Sequence, residues 1–152
     1  MKNKQYVIVE LIPEAISPEK GNLVQLSAIK IKGLELMDRF DYRLEEELVN
    51  NADVKKMVSY DSEVFNYVKS TEELLLEFEK WIGRTTLLIL NNEYTNNFLV
   101  GINNKKEFIG DYLEEEYSDD FIEKIIDKYN LESSNYIVDL LYEALIYESN
   151  RK

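Results

Sequence analysis

The chain has neither cysteine nor histidine, and the two absences exclude a large part of enzymology. Without cysteine there can be no disulfide framework and no zinc-cysteine site. Without histidine the commonest zinc ligand and the commonest general base are missing as well. Glycine and proline are scarce, at 5 and 2 of 152 residues, and no repeat, low-complexity segment or linker interrupts the chain. No apolar run approaches the roughly 18 residues of a membrane span, and the opening MKNKQYVIVE turns acidic where a secretory signal would stay apolar. A cytoplasmic protein without a membrane partner is expected.

What the chain does have is acid. It carries 18 basic and 30 acidic residues, a net charge of −12, which repels nucleic acid at long range. The acid is densest from Asp111 to Glu123 (DYLEEEYSDDFIE), where no basic residue intervenes. Such a run is either a solvated face or a docking surface for a basic protein partner. Hydrophobic residues make up 45% of the chain, enough for one domain over residues 1–152 that buries about two-thirds of its unfolded surface.

Periodicity places the elements. Tyr6 to Pro13 (YVIVELIP) is the apolar run of a strand buried on both faces, interrupted by Glu10. An ionised carboxylate there costs several kcal/mol, roughly, unless it is paired, hydrogen-bonded, metal-bound or neutralised. After the turn SPEKGN, Leu23 to Lys32 and Leu34 to Leu44 alternate as two strands hinged at Lys32-Gly33. Short helices are expected in Val54 to Tyr67. Ser70 and Glu73 then form a capping box for a helix presenting Leu74, Phe78 and Trp81, which Gly83 stops. Thr85 to Leu90 is a second buried strand, and Asn91 or Asn92 caps a helix carrying Tyr94, Phe98, Leu99 and Ile102. A short strand is expected at Phe108 to Leu113. Ser118 is expected to cap a helix bearing Phe121, Ile122, Ile125, Ile126 and Tyr129, and Ser134 or Asn135 to start a last helix through Glu148. Tyr94, Tyr129, Tyr142 and Tyr147 fall at helical spacing beside apolar residues, which suits core or interface better than base stacking.

This order, with an acid on the first strand, resembles the DnaQ-like (DEDD) 3′-5′ exonucleases of the RNase H-like fold, from about Gln5 to Glu148. The resemblance implies an α/β domain with an RNase H-like mixed sheet, three antiparallel strands then parallel strands, flanked by helices. It also implies two divalent metals held by four carboxylates: an Asp-x-Glu on the first strand, an Asp in the helix after the fourth strand and an Asp on the last helix. A His or Tyr serves as base. Two cations about 4 Å apart position the attacking water and stabilise the leaving oxygen.

The matching residues are depleted. Glu10-Leu11-Ile12 keeps one carboxylate of the first motif. Leu90 to Leu99 (LNNEYTNNFL) matches His-Asn-Ala-x-Phe-Asp-x-x-Phe-Leu with Thr95 in place of the Asp. Val138 to Ala144 (VDLLYEA) best matches His-x-Ala-x-x-Asp-Ala, putting Glu143 at the last acid and Val138 at the base, with Asp139 where a tyrosine base would stand. The resemblance therefore implies Glu10 and Glu143 facing each other across a solvent-filled cleft as metal-ligand remnants, with Thr95 beside them. Bland alternatives stay open: Glu10 accepting hydrogen bonds from Thr95 or Tyr136, and Asp139 with Glu143 as a solvated pair.

Three functions are compatible with these residues. One is an exonuclease-like domain that has lost its chemistry and serves binding or regulation, with no cofactor. Another is a metal-dependent 3′-5′ exonuclease in which Glu10, Glu143, Glu93 and Asp139 regroup around Mg²⁺ or Mn²⁺, acting on single-stranded nucleic acid ends. The third is an acidic module for a basic protein partner, contacted through residues 111–123. Nucleic acid as a partner follows from the resemblance alone, and the sequence leaves the oligomeric state open.

Overall fold

The computed structural model describes residues 3–58, 64–134 and 136–151. One six-stranded sheet organises them, in the order β4-β3-β2-β1-β5-β6. Strands β1 (Gln5–Pro13), β2 (Leu23–Lys32) and β3 (Glu35–Leu44) form the expected antiparallel meander. Its second hairpin turns at Gly33, whose φ of 61° suits a residue without Cβ. Strand β5 (Thr86–Ile89) pairs in parallel with β1, and β6 (Lys106–Phe108) in parallel with β5. The mixed sheet is thus antiparallel first and parallel second, with helices on both faces.

The two faces have separate cores. Alternation along β1 sends Val7, Val9 and Leu11 toward helices α2 (Thr71–Ile82) and α3 (Glu93–Phe98), where Leu74, Phe78, Ile82 and Phe98 cover them. It sends Tyr6 and Ile8 toward α4 (Ile109–Leu113), α5 (Phe121–Tyr129) and α6 (Ile137–Asn150), where Leu113, Phe121, Ile125, Val138 and Leu141 pack. Caps fix the helix starts. The Ser70 hydroxyl accepts from the Glu73 amide at 3.0 Å, and the Glu73 carboxylate accepts from the Lys69 amide at 2.9 Å, one residue earlier than a strict capping box. Of the Asn91-Asn92 pair, Asn92 is the cap, accepting from the Thr95 amide at 2.9 Å.

Four expectations need correction or extension. Phe108 to Leu113 is not a strand: pairing ends at Phe108, and Ile109 and Leu113, both fully buried, lie one helical turn apart in α4. Ser118 does not cap α5 with its side chain. Its hydroxyl donates to Asp120 at 2.6 Å and its carbonyl accepts from the Phe121 amide at 3.0 Å. Helix α1 (Ala52–Met57) starts before the anticipated segment, capped by Asn51, and β4 (Asn66–Val68) adds an unanticipated parallel edge beside β3. Helix α6 begins after Tyr136; Ser134 accepts from the Tyr136 amide at 3.1 Å, and Asn135 lies outside the described residues. Of the four tyrosines, Tyr129 is buried, Tyr94 and Tyr142 are half-buried, and Tyr147 is exposed.

Gly110 fixes the approach to the acidic segment. The Glu115 amide donates to the Gly110 carbonyl at 3.0 Å, and a Cβ at Gly110 would fall inside the van der Waals envelope of the Glu115 carbonyl oxygen. The Gly110→Ala variant should therefore lose about 1–3 kcal/mol, as overpacked sites do, measured by urea unfolding; wild-type stability would show that the loop yields freely.

Candidate functional site

Glu10 occupies the central strand on the face toward α6, two residues beyond Ile8. Register extends a polar row across the sheet from it: Glu10 pairs with Ser27 on β2, and Ser27 with Asp41 on β3. The flanking rows on this face are Ile12, Gln25, Arg43 and Ile8, Ile29, Arg39. Directly opposed residues of antiparallel strands point the same way, so two arginines and two acids share a largely covered surface.

The cations there are committed. The Arg39 guanidinium meets Asp139 of α6 at 2.6 Å and Asp41 at 3.2 Å. Arg43, 3% exposed, bonds the Gln25 carbonyl oxygen at 3.1 and 2.7 Å and lies 3.8 Å over the Phe65 ring. The second Asp41 oxygen is buried without a hydrogen-bond partner among the described residues. Burial of Arg39 works against its charge, but the two carboxylates outweigh it and leave its pKa above the ordinary value.

Glu10 is 7% exposed, and no described residue hydrogen-bonds its carboxyl. Burial, with a smaller contribution from the Asp139 charge, pushes its pKa up to about 8. The carboxyl opens on a groove of about 660 Å³ with Ile12, Tyr94, Met57 and Ile137 among its walls. Burial is also the main reason Tyr94 titrates above the usual phenol range; the Tyr117 and Glu10 charges add to it.

The structure separates the expected remnants. Asp139 is the α6 carboxylate whose field reaches Glu10. Glu143, one turn further on, is exposed and lines with Asp139, Asn130 and Leu131 a second depression, which shares Ser134 with the Glu10 groove. Thr95 is 2% exposed, its amide engaged by Asn92, and Glu93 is exposed. Among the described residues no three acidic side chains converge as a metal site, and the acids closest to convergence are held by Arg39. These residues do not fit a two-metal centre. Sequence reasoning missed Arg39, Asp41, Arg43 and Gln25; the alternation of Arg39, Asp41 and Arg43 along β3 was the available signal.

The acidic segment runs from α4 into α5 and supplies none of the groove's described walls, though its Tyr117 hydroxyl accepts from the Asn92 side chain at 3.3 Å. Asp111, Glu114, Glu116, Asp119, Asp120 and Glu123 are exposed. Lys128 pins its beginning through the carbonyls of Leu113 and Glu114 at 2.5 and 3.1 Å, and Lys124 stands 3.5 Å from Asp120.

No family model matches the chain. It is 22% identical over 99 residues to the DNA polymerase III PolC-type protein of Bacillus cereus, and 23% identical over 105 residues to that of Staphylococcus aureus. Each match covers 65% of this chain and 7% of the relative. Among solved structures, exonuclease I in complex with SSB and an inhibitor superposes over 97% of this chain and 41% of its own, with TM-score 0.58 and 12% identity. The E. coli exonuclease I complex with single-stranded DNA superposes with TM-score 0.57 and 12% identity over 97% of this chain and 40% of its own. The fold is the DnaQ-like exonuclease version of the RNase H-like fold. Among the described residues, no helix is long and apolar enough to cross a membrane.

The Glu10 carboxyl gives a pH signature free of interference from histidine, of which the chain has none. Its pKa rises from an ordinary 4.5 to about 8 on folding, so between those values the folded state binds the extra proton and stability falls as pH rises. The loss should be on the order of a few kcal/mol and level off above the folded pKa. The Glu10→Gln variant should match the wild type near pH 5 and exceed it near pH 9. Parallel stability profiles for the two would show that Glu10 stays ionised when folded.

Proposed function

We propose that this chain is an exonuclease-like domain that no longer performs two-metal hydrolysis and that serves binding or regulation instead. The observation that carries this reading is the Arg39–Asp139 ion pair at 2.6 Å. Asp139, the α6 acid whose field reaches Glu10, would have to be free to join it around a metal; here a guanidinium from β3 takes it, while Glu143, which matches the last-helix acid, is exposed. Ile12 stands at the second first-strand acid and Thr95 at the following-helix acid, which leaves Glu10 alone on its strand. Electrostatic stabilisation by the metals supplies much of the rate in such centres, and one protonated carboxyl does not replace it.

Exonuclease I forms complexes with single-stranded DNA and with SSB. For this chain, a net charge of −12 favours a basic protein surface over bare nucleic acid, because phosphates would approach uncompensated acids. The exposed acids of residues 111–123 are the surface proposed to meet that partner first.

Purified protein should release no nucleotide from the 3′ end of single-stranded DNA or RNA in Mg²⁺ or Mn²⁺. Either ion at millimolar concentration should shift the melting temperature by no more than about 1 °C, since weak sites stabilise little by linkage. Release that vanishes in Glu10→Gln would overturn the reading, as would two tight Mn²⁺ sites by calorimetry.

A further inference from the structure

We propose that the groove at the end of β1 is a binding site for a lysine side chain carried on an apolar segment of a basic partner protein. The inference rests on the metal-free reading above and assigns the groove its ligand.

The walls are apolar: Ile12, Pro13, Ile16, Met57, Tyr94 and Ile137. Ile16 and Met57 remain 43% and 51% exposed, so hydrocarbon faces water at the rim. Two acids stand in this apolar setting. Glu10 is nine-tenths buried and without a hydrogen-bond donor among the described residues. Glu14 uses one oxygen to accept from the Asn50 and Asn51 amides at 2.8 and 2.9 Å. Its other oxygen is buried without a partner among the described residues.

A neutral apolar ligand would leave these oxygens unmatched, and a phosphate would meet Glu14 as a like charge. A lysine answers both constraints. Its methylene stem covers apolar wall while its ammonium supplies three donors as a compact charge. Among the described residues no lysine or arginine lines the groove, and Arg39 is held by Asp139 and Asp41. At about 660 Å³, the space exceeds one side chain and admits apolar neighbours of the lysine.

The charged and titratable groups around Glu10 fix the sign of the pH effect. Asp139 on α6 adds negative field, Tyr94 on α3 and Glu14 beyond β1 line the groove, and Ser27 separates Glu10 from Asp41 and Arg39 on β3. At neutral pH the Glu10 carboxyl holds its proton; an arriving ammonium favours the carboxylate, and the proton leaves to solvent. Affinity must therefore rise with pH while the ligand amine stays charged.

A capped Ser-Leu-Lys-Leu-Ser peptide titrated into the full isotopically labelled chain, followed by amide NMR shifts, tests this. Saturable shifts are expected at Leu11, Ile16, Tyr94 and Ile137, with affinity rising at least about tenfold from pH 6.5 to pH 9. Replacing the lysine by norleucine should abolish that rise. Glu10→Gln should remove it too, and the rim variant Met57→Ser, which alters no buried residue, should weaken binding about threefold with the fold intact. No saturation at millimolar peptide would overturn the proposal, as would equal binding to Glu10→Gln or preferential shifts with oligothymidylate. Nuclease activity would refute the metal-free reading separately, whatever the peptide does.

Discussion

A carboxyl on the central strand of a sheet covered on both faces is the constraint to which this side of the molecule is fitted. Glu10 belongs to β1, which pairs on both edges and is flanked by fully buried Ile8 and Val9 and by Leu11. Three outcomes were open to such a group: a metal, a cationic partner or a proton. The Arg39 guanidinium is occupied by Asp139 and Asp41, and the acids do not converge on an ion site among the described residues. The proton remains, which is why the shift at Glu10 is upward. Asp139 reinforces it, since an acid paired with Arg39 still presents net negative field to a neighbour in a low-dielectric setting.

The same accounting holds one row over. Arg43 is as buried as Glu10, and among the described residues it is held by the Gln25 side-chain oxygen and the face of Phe65. A planar guanidinium suits both contacts, a forked pair of hydrogen bonds and a ring face. The sheet face thus presents an arginine bound to acids, an arginine against Gln25 and Phe65, and an acid that no described residue hydrogen-bonds. The last opens on the groove walled by Ile12, Tyr94 and Ile137.

Much of the scaffold was legible because its signals are local. Ser70 with Glu73, the stop at Gly83 and the cap at Asn92 each fix an element within a few residues, and each is found in place; β2 is also in place, but it is buried without alternation from Leu23 to Ile29 because helices cover both faces. The failures share a cause. Phe108 to Leu113 reads as a strand by composition, but Ile109 and Leu113 are one turn apart and both reach the core; tertiary burial decided the period. β4 is three residues long and exists through pairing with β3, some two dozen positions away. At the site, motif spacing selected Glu143, and the field that reaches Glu10 from α6 comes from Asp139, one helical turn before it. Arg39, Asp41 and Arg43 became a site only by cross-strand register, which no local pattern prints.

The depleted positions also explain how such a fold keeps its groove. A centre of four acids is a cluster of like charges that destabilises the metal-free protein. Ile12 packs beside Val24, Leu44, Val49 and Val58, and Thr95 is nearly sealed within α3 with its amide capped. Both residues put packing where the related enzymes have repulsion. The core that sets the strand order rests on residues such as Val7, Val9, Leu87 and Phe78 of one face and Ile8, Leu88 and Leu141 of the other. On the reading proposed above, loss of acids relieves the fold and spares the cavity. Because a cavity with exposed hydrocarbon at its rim and one acid at its floor is unfavourable to leave in water, its persistence is easiest to understand if something apolar and positively charged fills it.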